Sequence, residues 1–83
     1  MNALQIHFVP AEGSIIRILG MIERRGFRLR DVTVRDEDLH GSITVDLEPL
    51  DPMHRLDVLA RQLGRLIEVK AVSLETSTAG PYS

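Results

Sequence analysis

The chain has 83 residues, a net charge of −2 and no cysteine. That is one small domain with a small core, of the size that often gains stability from self-association. Disulfides, thiolate zinc sites and a cysteine nucleophile are excluded, and the slight acidic excess argues against a general nucleic-acid binder.

Nothing at the start of the chain reads as a signal peptide, because Met1 to Gln5 has neither a basic region nor a long apolar one. No apolar run approaches the ~20 residues needed to span a bilayer. A cytoplasmic protein is the expectation, and the absence of cysteine suits a reducing compartment.

Residues 4–9 open the fold. Leu4, Ile6 and Phe8 alternate with Gln5 and His7, the pattern of a half-buried strand. Pro10 ends it, since proline donates nothing to a ladder. A loop, Pro10-Ala11-Glu12-Gly13, leads into a predicted helix with Ser14 as a candidate N-cap. Ile15, Ile18, Leu19 and Ile22 recur at helical spacing and share one face. Arg17, Met21 and Arg24 fall on the opposite side. Arg24 and Arg25 place positive charge at the helix end, where the dipole favours it. Gly26 stands where a C′ glycine can take positive φ and stop the helix.

The second strand is predicted over 27–34. Phe27 and Leu29 are out of phase with Val32 and Val34. One extra residue near Arg30-Asp31, a β-bulge, would put both pairs on the core face. Residues 35–41 read as a polar turn. The third strand has the clearest alternation in the chain: Ile43, Val45 and Leu47 face in, while Ser42, Thr44, Asp46 and Glu48 face out. Asp51-Pro52 then predicts an N-cap followed by proline at the first helical position. Leu56, Leu59, Ala60 and Leu63 form the stripe of the second helix, with Asp57 and Arg61 as an i, i+4 pair. A fourth strand is predicted over 68–74, with Val69, Ala71, Val72 and Leu74 available to the core. Residues 1–75 therefore form the domain, and the small polar stretch 76–83 reads as a disordered tail.

The order βαββαβ predicts an α+β, ferredoxin-like fold: a four-stranded antiparallel sheet with both helices on one face. The other face meets solvent or a partner. The chemistry is sparse. His7, His40 and His54 have no ligand spacing, so no metal site is expected. No serine sits in a nucleophile elbow. Asp36-Glu37-Asp38 reads as a solvated charge run. Glu12-Gly13-Ser14 resembles an anion-binding helix start, with a single glycine. No catalytic constellation emerges, and the residues point to a small binding or regulatory module.

Two stretches carry a family resemblance. The first is Arg17 to Phe27, ending Arg25-Gly26-Phe27, together with Asp31-Val32-Thr33-Val34. The second is Leu56 to Val69, containing Gln62-Leu63-Gly64-Arg65-Leu66-Ile67-Glu68-Val69. These resemble the ACT domain of acetolactate synthase (acetohydroxyacid synthase) small subunits, in which a helix ends in R-G-[YF] and the second half carries Q-L-x-K-L-[IV]-[DE]-V. The likeness spans residues 4–75 and is greatest to the type II isozyme small subunit. It implies a non-catalytic regulatory partner of a large subunit that holds thiamine diphosphate, magnesium and FAD and serves branched-chain amino acid synthesis. This chain itself would hold no cofactor. The resemblance implies effector contacts at Glu12, Gly13, Ser14, Ile15 and Arg28.

Valine-binding members of that family carry N-E-S-G after the first strand and Asn after R-G-[YF]. Here Pro10-Ala11-Glu12-Gly13 keeps only the glycine of the loop's two ends, and Arg28 replaces the second asparagine. A weak or absent valine response is therefore expected. Arg17, Met21, Arg24 and Arg25 are candidates for contact with the large subunit, or form a solvated helix face. A homodimer through the second strand is also expected, with Arg28 and Arg30 either near the two-fold axis or guarding the edge. Two other readings stay open: a stand-alone ACT-domain amino-acid sensor, and a dimerisation module acting on another partner.

Overall fold

The computed structural model describes residues 2–37 and 39–76. Its elements are β1 (Asn2–Phe8), α1 (Ser14–Arg24), β2 (Phe27–Glu37), β3 (His40–Pro49), α2 (Leu56–Leu63) and β4 (Val69–Thr76). This is the expected βαββαβ order. Residues 77–83 of the predicted tail lie outside the described residues. Thr76, the first residue of that tail, closes β4 instead.

The four strands form one sheet in the order β2-β3-β1-β4, and every neighbouring pair is antiparallel. β1 and β3 are central. Their register sets Leu4 against Val45 and Ile6 against Ile43, and all four side chains are fully buried under the helices. The alternation read in β3 is realised along the whole strand.

Helix α1 is held by packing. Ile18 and Ile22 are completely buried, and each contributes about 1.5–3 kcal/mol of apolar burial. That outweighs the ~1 kcal/mol cost of a mid-helix glycine at Gly20. Ile15 and Leu19 pack against the same cluster, and so does Met21. The helix stops as expected: Gly26 has φ 92°, and its N–H donates to the Glu23 carbonyl at 3.1 Å.

The predicted bulge in β2 is present. Leu29 pairs with Leu47 and Asp31 with Asp46, so Arg30 is the extra residue. Val32 then opposes Val45, and Val34 opposes Ile43. Both valines share the helix face, yet they stay 37% and 39% exposed, because β2 is an edge strand and the helices do not cover its far half.

Three expectations change. Residues 35–37 extend β2 rather than turn: Arg35, Asp36 and Glu37 pair with Ser42, Gly41 and His40. An edge strand tolerates such polar residues because one of its sides stays in water. Asp51-Pro52 does not begin α2. The Asp51 carboxylate accepts the Met53 N–H at 2.7 Å, an Asx turn, and the helix starts four residues later at Leu56. Ala71 is exposed; it pairs with His7 on the open face of the sheet.

Gly41 is a strand glycine held by packing. A Cβ built there would lie 2.5 Å from the Phe8 ring, and Phe8 is 2% exposed. A strand glycine replaced by alanine ordinarily gains stability. Here the overlap should win, and Gly41→Ala should cost about 1–3 kcal/mol. Urea unfolding followed by circular dichroism measures this, and an unchanged or raised midpoint would show that the Phe8 ring moves aside freely.

Candidate functional site

The loop between β1 and α1 is built from small residues with specific backbone demands. Gly13 is the N-cap, with φ 78° and ψ 3°, a left-handed conformation that favours glycine. Ser14, expected as the cap, is the first helical residue and is buried. Its hydroxyl turns back into the loop and accepts the Ala11 N–H at 3.1 Å. The Ser14 N–H donates to the Ala11 carbonyl at 3.0 Å. The left-handed glycine makes this possible: it turns the chain so that the serine points inward rather than over the helix end.

Glu68 closes the site from the other side of the fold. Its carbonyl accepts the Val9 N–H at 2.8 Å. Its carboxylate accepts Arg17 Nε at 2.7 Å. Its own backbone N–H, then the Arg17 side chain, then the Ser14 hydroxyl hold its carboxyl below the usual glutamate range. The end of β1, the first turn of α1 and the entry to β4 thus meet at one residue.

Beside this junction is an open cavity of about 360 Å³, lined by Phe8, Pro10, Ala11, Gly13, Ser14, Ile15, Ile16 and Asp36. Its walls are mainly apolar. The amide end of α1 lies at one side, and among the described residues Asp36 is the one carboxylate in the lining. Such a site suits a small molecule with a short apolar portion and charged ends.

Of the expected effector residues, Gly13, Ser14 and Ile15 line this cavity, and Glu12 stands exposed in the turn beside them. Arg28 does not join them within one chain. It pairs with Glu48 at the start of β2, eight residues before Asp36, or roughly 25 Å along the strand. Phe8, Ile16 and Asp36 were not anticipated. The available signal for Asp36 was its helical-face phase with Val32 and Val34, masked by reading 35–41 as a turn.

The expected basic side of α1 divides. Arg17 is engaged by Glu68, and Met21 packs against the core. Arg24 and Arg25 instead line a second cavity of about 470 Å³ at the far end of the helix, together with His54 and Arg55.

An antiparallel four-stranded sheet in the order β2-β3-β1-β4 under two helices defines the class as ferredoxin-like. A family model described as ACT domain matches residues 10–72. The chain belongs to the ACT domain family, whose members are regulatory rather than catalytic. Among solved structures, the ACT domain from GTP pyrophosphokinase of Chlorobium tepidum is similar, with a TM-score of 0.76 and 16% identity over 89% of this chain and 95% of that one. Formyltetrahydrofolate deformylase from Burkholderia mallei matches with a TM-score of 0.69 and 18% identity, over 89% of this chain and 27% of that one. Escherichia coli aspartokinase III, in complex with lysine and aspartate, matches with a TM-score of 0.52 and 15% identity, over 88% of this chain and 17% of that one. At these identities the likeness is one of fold. No match to a curated protein sequence is found. Among the described residues, no helix is long and apolar enough to cross a membrane.

The Glu68 carboxyl makes stability depend on pH with a definite sign. Its pKa is lowered on folding, so its contribution is complete above the unfolded value and is lost as pH falls through the folded one. The melting temperature should drop between about pH 6 and about pH 3, and Arg17→Gln should flatten that drop while lowering the value near pH 6. Thermal scans of both proteins check this; identical acid limbs would mean that Arg17 does not stabilise the carboxylate.

Proposed function

We propose that this ACT domain is the non-catalytic small subunit of acetolactate synthase, acting in the cytoplasm on a large subunit that holds thiamine diphosphate, magnesium and FAD. The observation that carries the reading is the pair of motifs in their structural places. Arg25-Gly26-Phe27 ends α1, with Gly26 in the left-handed conformation. Gln62-Leu63 end α2, and Leu66 lies in the turn that leads into β4. Both sit inside the ACT match.

Valine sensitivity is weak in this reading. A bound amino acid needs acceptors for its ammonium group and donors for its carboxylate. Asp36 and the start of α1 offer one of each. Pro10, which lines the cavity, supplies neither an amide side chain nor a backbone N–H. Glu68 already brings a carboxylate to the first turn of α1, so a ligand carboxylate meets like charge there. Each missing hydrogen bond costs about 1–3 kcal/mol, and two such losses move a micromolar site towards millimolar. Mixing the purified chain with the large subunit should raise the rate of pyruvate condensation, and valine at about its millimolar range or below should leave that rate unchanged. No rise in rate and no co-elution would sink the assignment; inhibition at micromolar valine would sink the account of the cavity.

The subunit acts as a homodimer through the free edge of β2. Val32, Val34 and Ile16 are exposed apolar side chains on the helix side of that edge, and strand pairing across a two-fold axis would bury them. Antiparallel pairing also brings the start of one β2 towards the end of the other, but Arg28, opposite Glu48 on the open face, stays on the side of the sheet away from the cavity. Light scattering at about 100 μM reads the dimer directly, since interfaces of this kind hold in the micromolar range; a monomer at that concentration contradicts it.

A further inference from the structure

The end of α1 and the approach to α2 are joined by a contact that the sequence does not announce. Gly26, in its left-handed conformation, has no Cβ, and the His54 imidazole lies where one would stand. The same ring packs on Phe27, with centroids 5.9 Å apart and planes at 43°. His54 therefore pins the segment before α2 onto the end of α1. The result is the cavity of about 470 Å³ noted above. Arg24 and Arg25 approach it from one helix, and Arg55 from the start of the other.

Among the described residues, no aspartate or glutamate lines this cleft. Arg24 and Arg25 make no ion pair among the described residues. Arg55 makes two hydrogen bonds of 3.1 Å to Asp57, but both side chains are largely exposed, and such surface pairs are worth little. Three arginines thus line one cleft in a chain whose net charge is −2. The cleft also has an apolar component. Met53 is 83% exposed and Val58 38%, and both line it beside the buried Phe27 and Leu59. Arginine with methionine around an apolar floor is the composition of a protein interface. A small inorganic anion would satisfy the arginines and leave Met53 and Val58 in water. An extended segment with carboxylates on either side of an apolar residue would satisfy both.

We propose that this cleft docks an acidic, apolar-anchored segment of the enzyme that the domain regulates. The identity of that enzyme rests on the acetolactate synthase reading; the cleft and its chemistry do not. It is separate from the cavity at the β1–α1 loop, which lies at the other end of α1. Docking here leaves the β2 edge free for self-association. Its electrostatic part should weaken as salt rises, because the arginines are at the rim.

The test is association of the full chain with the acetolactate synthase large subunit, measured by titration at low and high salt. Four proteins are compared: the unaltered chain, Arg24→Glu/Arg25→Glu, Met53→Ser, and Arg65→Glu as an exposed arginine outside the cleft. Amide NMR spectra establish that each is folded. The double charge reversal should weaken association by about tenfold or more and Met53→Ser by several-fold, while Arg65→Glu should match the unaltered chain. Inorganic pyrophosphate should not compete at concentrations below the salt effect. If the unaltered chain binds and the cleft variants bind equally, the docking proposal fails and the subunit reading stands. Equal weakening by Arg65→Glu reduces the effect to overall charge and overturns the cleft. If the unaltered chain does not bind, both readings fall together.

Discussion

Glu68 is the residue on which the β1–α1 end of this domain depends. Its carbonyl takes the Val9 N–H, and its carboxylate takes Arg17 Nε from 51 positions earlier in the chain. Ser14 completes the junction by accepting the Ala11 N–H with the hydroxyl that also supports Glu68. Pro10, Ala11 and Glu12 have little apolar surface to bury, so the loop they form gains its position from these polar contacts rather than from packing. The negative charge also lies at the amide end of α1, where the helix dipole favours it. An exposed pair is ordinarily worth little. This one is shielded on one side, since the Glu68 side chain is only 13% exposed, and it is tied to two backbone contacts as well.

The two ends of α1 are organised by different physics. At its start, a left-handed glycine and a buried serine hold a small apolar cavity open. At its end, a second left-handed glycine lets an imidazole lie against the backbone and collects arginines around it. Between them, Ile18 and Ile22 fix the helix on the sheet. The helix therefore separates a mainly apolar cavity at its start from an arginine-lined one at its end. The exposed valines of β2 give a third surface, along the sheet edge. These are the three surfaces to which the proposed contacts of this regulatory domain are assigned.

Much of this was legible in the residues. The inward set of β3 follows from strict alternation, and the bulge from two apolar pairs that no regular strand could place on one face. Gly26 after two arginines reads as a helix stop. What escaped was whatever depends on contacts distant in sequence. Asp51-Pro52 suits an Asx turn as well as a helix cap, and only the packing of Leu56, Leu59 and Leu63 decides where α2 begins. Arg35, Asp36 and Glu37 look like a turn because polar residues on a strand edge carry no burial signal. Arg24 and Arg25 read as part of one basic helix side, whereas the structure separates them from Arg17 through His54 on one side and Glu68 on the other. Glu68 falls within the quoted family motif, between Ile67 and Val69, but nothing local announces its contact with Arg17, 51 positions earlier.

Glu68 positions the β1–α1 loop in the free protein. Amide hydrogen exchange on the unaltered chain and on Glu68→Gln tests it at the residues concerned. Exchange should be faster at Ala11 and Arg17 in the variant, with Ile22, Val45 and Leu47 unchanged because the core is intact. Unchanged protection at Ala11 and Arg17 would contradict it, and would mean that the loop holds its place without the carboxylate.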